Sequence, residues 1–269
     1  MPELPEVETT VRGLLPVLLN RRIDRVEARR PDLRRPLPRD LGQRLTGATV
    51  TALGRRAKYG LVETDRGDTL VFHLGMSGRW RIDPDALGAH DHVVLTVGGR
   101  ILALNDPRRF GSLDLMTTSE VAGWGPFVGM GPEPLDEGFD GAALAAAFAG
   151  RRTPVKAALL DQRRVAGLGN IYVCEALHRA GIAPARGAGR IGRARLDRLA
   201  VEIKAVLRES IAAGGSTLRD FARPDGELGY FAKDFLVYGR EGGACGCGGT
   251  VARRVEAGRS TFWCAACQR

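Results

Sequence analysis

The sequence predicts an α+β protein, and three observations carry that prediction. The amino-terminal half holds many short apolar runs broken by Gly, Pro and Asp. Helical spacing of apolar residues takes over near Asp140. Four of the five cysteines fall in the last 25 residues. Short strands separated by turn residues suggest a sandwich or a barrel, and spacing alone leaves both open.

The totals narrow the field. With 269 residues the chain is long enough for two cores, and 44% apolar with 26% charged residues is ordinary for a soluble protein. The net charge of +9 asks for an anionic partner. Most of the base is arginine, which grips phosphate in a bidentate way. Charge alone does not separate a nucleic-acid enzyme from a ribosomal or membrane-surface protein. No apolar run approaches the roughly 18–20 residues of a membrane span, and the acidic start is unlike a signal peptide. A cytoplasmic location follows as the expectation. In that reducing compartment, crowded cysteines read as metal ligands rather than disulfides.

Taken in order, Val7, Val11, Leu14, Leu15 and Leu18 predict a helix after Leu4 that weakens near Pro16. Strands are expected over 23–28, 48–53, 61–64, 70–74, 93–97 and 101–104. The Gly/Pro-rich loop around Glu133 reads as an interdomain linker. Thr153-Pro154-Val155-Lys156 starts a helix running to about Leu160. A turn over 161–169 leads to a second helix from Asn170 to about Ala180, with Gly181 as its stop. Leu196, Leu199, Ile203, Val206, Leu207 and Ile211 mark a longer helix ending at Gly214-Gly215, and 216–230 is a polar loop.

Several stretches carry chemistry. In Met1-Pro2-Glu3-Leu4-Pro5-Glu6-Val7-Glu8, removal of Met1 would leave Pro2 as a secondary amine. A terminal amine has a pKa of about 7.7–8.0 and is a usable nucleophile toward a sugar carbon. Glu3 would exchange protons at the same centre. On composition alone the stretch is an acidic helix start. Lys58 lies in a basic turn, Arg55 to Gly60, and by itself reads as a solvated surface lysine. His73-Leu74-Gly75-Met76-Ser77-Gly78 and Asn105-Asp106-Pro107-Arg108-Arg109-Phe110-Gly111 each look like a strand ending in a glycine turn. Gly167-Leu168-Gly169-Asn170 suits close approach of backbone to phosphate. Cys245 and Cys247, then sixteen residues, then Cys264 and Cys267 offer four thiolates for one closed structural Zn²⁺ site. The first pair is one residue short of the usual CxxC. Cys174 reads as a small buried apolar residue.

The literal strings resemble the formamidopyrimidine-DNA glycosylases, bacterial base-excision repair enzymes, over nearly the whole chain. The resemblance implies an N-terminal β-sandwich with flanking helices over 1–130. It also implies a helical domain over 131–240, with a helix–two-turn–helix motif and a lesion-capping loop, and a zinc-finger β-hairpin over 241–269. It implies a bifunctional glycosylase and abasic-site lyase that removes 8-oxoguanine and formamidopyrimidines through a Schiff base on Pro2, followed by β,δ-elimination. By the same resemblance Pro2, Glu3, Lys58 and Arg259 are catalytic, and His73, Met76, His92, Arg108, Arg109, Phe110, Lys156, Asn170 and Tyr172 bind DNA. Phe110 would wedge between bases, Arg108 would pair with the estranged cytosine, and Met76 would fill the vacated space. The implied partners are damaged double-stranded DNA and one structural Zn²⁺, with no membrane, in a monomer.

Three rivals remain. The related endonuclease VIII type acts on oxidised pyrimidines; Leu4 and the complete Met76, Arg108 and Phe110 set favour the purine enzyme. A non-catalytic DNA-binding zinc protein would have no need of Pro2, Glu3 and Lys58 together. An RNA-binding protein would want stacking platforms, whereas aromatics are 6% of the chain and scattered.

Overall fold

Helix α1, Leu4–Leu18, is set by its own first turn. Glu3 is the N-cap and forms a reciprocal capping box with Glu6, and a proline occupies the first turn, where no amide donor is needed. Leu4, Val7, Val11, Leu14, Val17 and Leu18 are all buried. The helix does not stop at Pro16 but runs through it. Burial of Val17 and Leu18 beyond the proline offsets the single intrahelical bond that Pro16 cannot make.

Two antiparallel four-stranded sheets follow this helix. One has the order β1-β6-β7-β5, from Ile23–Ala28, Asp91–Val97, Arg100–Asn105 and Arg79–Ile82. The other has the order β2-β3-β4-β8, from Val50–Arg56, Tyr59–Thr64, Asp68–His73 and Ser112–Thr117. A short helix, α2 (Leu41–Leu45), lies between β1 and β2 in sequence. Ile23, Leu95 and Leu104 of the first sheet share one apolar core with Val50, Val62, Leu70 and Leu113 of the second, and with Leu14 and Leu18 of α1. Phe72 and Trp80 meet edge to face across it at 5.8 Å. The architecture is therefore a β-sandwich.

The remaining elements are helical, with one hairpin. Helix α3, Gly141–Phe148, is capped by Asp140, whose Oδ1 accepts from the amides of Ala142 and Ala143. Helices α4 (Val155–Leu160), α5 (Asn170–Arg179) and α6 (Arg193–Ala212) follow, then the hairpin β9 (Val251–Glu256) and β10 (Arg259–Cys264).

The computed structural model describes residues 2–216 and 222–269. Its contacts divide the chain into Met1–Val128 with Ile211–Tyr230, and Gly129–Ser210 with Phe231–Arg269. The motif-based division at 130 and 240 assigns 211–230 to the helical part. In the contact division that segment joins the sandwich, because Ser216 bonds to Glu6 and the Pro224 carbonyl accepts from the Ile82 amide at 2.8 Å. No described helix is long and apolar enough to cross a membrane.

Candidate active site and metal centre

Pro2 and Glu3 are both buried at the head of α1, with Glu3 only 2% exposed. Glu6 holds them there. Its Oε2 accepts from the Glu3 amide at 2.8 Å, and its Oε1 accepts from both the amide and the hydroxyl of Ser216 at 2.9 Å. One buried carboxylate thus fixes the backbone of Glu3 and the start of the 216–230 loop. Of that loop, 217–221 lie outside the described residues, as does Met1.

Lys58 occupies the two-residue tip, Ala57-Lys58, of the β2–β3 hairpin, where Arg56 pairs with Tyr59. Arg55 braces the tip. Its guanidinium reaches Glu8 of α1 at 3.1 Å and the Ala57 carbonyl at 2.8 Å. Tyr59 stacks tilted on His73 at 4.8 Å. His73 Nδ1 accepts the Gly75 amide at 3.0 Å, so the proton of the neutral ring sits on Nε2. Burial first, then the charges of Lys58, Arg34 and Arg35, push its pKa down to about 4.

The two glycine-turn loops are locked into one body. Asp106, 1% exposed, accepts from Ser77 Oγ at 2.6 Å and from the Gly111 amide at 2.8 Å. Ser77 Oγ in turn accepts from the Arg108 amide at 3.2 Å. A Cβ on Gly75 would lie 2.3 Å from the Phe110 carbonyl carbon, so only glycine permits this approach. On this base Met76 is 37% and Phe110 44% exposed, and the Arg108 guanidinium sits 4.8 Å over the Phe110 ring. Arg109 is exposed, with a left-handed backbone at φ 58°. His92 differs from these. It is 4% exposed and its Nε2 bonds the Asp106 carbonyl at 2.9 Å, so it braces the loop from behind.

Among the helical residues, the α4–α5 turn is latched by Gln162. Its amide donates to the carbonyls of Leu160 and Leu168, and its oxygen accepts from Gly167 at 2.8 Å. Asn170, the first residue of α5, donates through Nδ2 to the Ser260 carbonyl on β10 at 2.8 Å. Lys156 is 3% exposed and is spent inside the protein. It donates to Thr261 Oγ1 at 2.7 Å and to the Ser260 carbonyl at 3.1 Å, while Thr261 donates to Glu256 at 2.7 Å. Arg259 heads β10, exposed, beside the turn this network steadies. Tyr172 is wholly buried, with its hydroxyl 2.6 Å from Ser210 Oγ and its ring stacked on Phe231. Tyr172, Lys156 and His92 are all buried, with polar atoms bonded inside the protein. Glu175, also fully buried, accepts from the amides of Leu236, Val237 and Tyr238 and so anchors the chain entering the hairpin.

Two signals for the residues that sequence reasoning missed were present. Glu6 stands at capping-box spacing from Glu3. Glu175 is a carboxylate inside an otherwise apolar run.

Cys245, Cys247, Cys264 and Cys267 bring their four sulfurs within 4.8 Å of one another. The Cys245–Cys267 and Cys247–Cys264 separations are 3.9 and 3.6 Å. A tetrahedral Zn–S bond of about 2.3 Å implies S–S edges of about 3.8 Å. The four thiols are thus arranged to hold a metal ion despite the shortened first pair. The Cys245 carbonyl accepts the Gly248 amide at 2.9 Å, which closes the turn. A Cβ on Gly249 would lie 2.8 Å from Cys264 Sγ, inside the cradle.

A β-sandwich whose first helix is capped by a buried glutamate, together with two helices joined by a glycine turn and a four-thiol hairpin, defines a helix–two-turn–helix protein with a metal-binding finger. Residues 1–113 match the formamidopyrimidine-DNA glycosylase N-terminal domain, and 130–222 match the formamidopyrimidine-DNA glycosylase H2TH domain. The formamidopyrimidine-DNA glycosylase of Rhizorhabdus wittichii is 68% identical, and that of Zymomonas mobilis 52%, each over the full length of both chains. The crystal structure of the MutM (Fpg) protein of Thermus thermophilus is 40% identical with a TM-score of 0.89, covering 99% of this chain and 98% of that one. The Lactococcus lactis Fpg in complex with abasic-site DNA is 33% identical with a TM-score of 0.92 over all of both chains. The chain belongs to the formamidopyrimidine-DNA glycosylase family.

Proposed function

We propose that this protein excises oxidised purines, chiefly 8-oxoguanine and formamidopyrimidines, from duplex DNA and then cleaves the abasic strand. The observation that carries the reading is the rigid pair of loops presenting exposed Met76, Arg108 and Phe110 on the buried Asp106 latch. Exposed apolar side chains with a cation stacked on one of them suit a duplex from which one nucleotide has been extruded. The α-nitrogen of Pro2, once Met1 is removed, attacks C1′ and the base departs. Glu3 protonates the sugar ring oxygen, which opens the ring to an iminium. Loss of a C2′ proton expels the 3′ phosphate, a second elimination expels the 5′ phosphate, and water releases the sugar remnant from Pro2. Lys58, His73 and Arg259 supply side-chain donors to the phosphates, and Asn170 does so through the backbone N–H that opens α5. The four thiols hold one Zn²⁺, which shapes the finger; with every ligand position filled by protein it takes no part in bond breaking. The protein acts as a monomer in the cytoplasm.

The test is borohydride trapping on a duplex with 8-oxoguanine opposite cytosine, followed by peptide mass spectrometry. An adduct on Pro2 is expected. An adduct on Lys58 keeps the lyase but moves the nucleophile. Tight binding without any adduct defeats the catalytic reading in favour of a DNA-binding protein.

A further inference from the structure

His178 lies in the last turn of α5 and faces the metal site, though it is outside the four-thiol group. Its Nε2 is 3.3 Å from Cys245 Sγ and 3.8 Å from Cys267 Sγ. Its Nδ1 is buried and has no hydrogen-bond partner among the described residues. The sulfur-facing nitrogen is therefore the one the protein uses. Four thiolates around a dication leave net negative charge, and Cys245 and Cys264 are only 7% and 0% exposed, so water does little to offset it there. A donor aimed at sulfur supplies what water cannot.

We propose that His178 is an outer-sphere donor to this metal centre: its Nε2–H bonds the Cys245 thiolate, and more weakly that of Cys267, and fastens the finger to α5. The inference rests on the metal reading above. Helix α5 then grips the finger at both ends, through Asn170 on the Ser260 carbonyl and through His178 on Cys245. A neutral imidazole with its proton on Nε2 is the tautomer required, which leaves Nδ1 as the bare lone pair.

The experiment compares the full-length zinc protein with His178→Phe, which fills the space without a donor, and His178→Gln, which retains an N–H. Zinc transfer to a chromophoric chelator is expected to be about 10–100-fold faster from the Phe variant, with the Gln variant falling between. Circular dichroism of all three confirms that helix content is kept. In the cadmium-113-substituted wild type with nitrogen-15 histidine, a coupling between Hε2 of His178 and the metal is expected across the hydrogen bond. Equal release rates for wild type and the Phe variant overturn the inference while leaving the metal site standing. A cadmium resonance in the range of three thiolates and one imidazole also overturns it, by making His178 a ligand. A wild type that binds no metal overturns the metal reading itself.

Discussion

Removing the carboxylate of Asp106 is the most direct way to separate the presentation of Met76, Arg108 and Phe110 from the chemistry. In Asp106→Ala, the Ser77 hydroxyl and the Gly111 amide lose a charged acceptor in a site that is 1% exposed. A hydrogen bond to a charged group is worth about 1.5–3 kcal/mol, so the two together come to about 3–6 kcal/mol. Asp106→Asn is milder. Its oxygen can still take the Gly111 amide and its amide can donate to Ser77 Oγ, so both bonds persist but lose the charge, about 1.5–3 kcal/mol together. At about 2–4 °C per kcal/mol for a protein of this size, the Asn variant should melt about 3–12 °C lower. The assay pairs thermal unfolding with two single-turnover reactions at a temperature where the variant is folded: excision of 8-oxoguanine opposite cytosine, and strand cleavage at a preformed abasic site. Excision should fall much further than cleavage, because only excision requires the base to be displaced. An Asn variant that melts with the wild type, or that loses both activities in equal proportion, refutes the latch.

Two further outcomes follow from buried groups. Glu6→Gln keeps one acceptor oxygen and turns an amide toward either the Glu3 N–H or Ser216, a loss of about 1.5–3 kcal/mol of positioning. Single-turnover excision should slow by up to about 10–100-fold while affinity for abasic-analogue DNA hardly changes; weakened affinity with an unchanged rate would sink this role. His73 has a folded pKa of about 4 against an ordinary value of 6.5. On lowering the pH below 6.5 the unfolded chain takes up this proton first, so stability is lost progressively down to about pH 4, by about 3 kcal/mol in all. Urea midpoints between pH 7 and 4 should show that slope, and His73→Gln should remove its share; an unchanged slope in the variant contradicts the buried neutral ring.

The six strands expected from sequence are present within a few residues, because each is an apolar run bounded by turn residues. The two that were not expected, Arg79–Ile82 and Ser112–Thr117, are edge strands of their sheets. Arg-Trp-Arg-Ile and Ser-Leu-Asp-Leu-Met-Thr carry polar side chains in alternation, as edges do, and read as loop next to glycine turns. The candidate site is readable where it is a local string: the cysteine pairs do meet, and Pro2-Glu3 and the Lys58 turn are the strings on which the proposed function rests. It was not legible where a buried group meets a partner far along the chain. Ser216 is 210 residues from Glu6, Ser77 is 29 from Asp106, and Leu236 is 61 from Glu175. Nothing in a linear pattern announces such pairs. Lys156 and Tyr172, whose types suit DNA contact, likewise bond to partners far along the chain, Thr261 and Ser210.

The joined loops also bear on how a lesion would be found. Met76 and Phe110 stand on loops tied to each other through Asp106, so on the proposed function much of the compliance comes from the nucleic acid. Unstacking a sound base pair costs a few kcal/mol, and less at a damaged one. Pyrimidine–purine steps yield readily, whereas A-tracts are stiff. On that function the protein gauges the mechanical give of each step before any base reaches a pocket, and the sequence flanking a lesion becomes part of what is recognised.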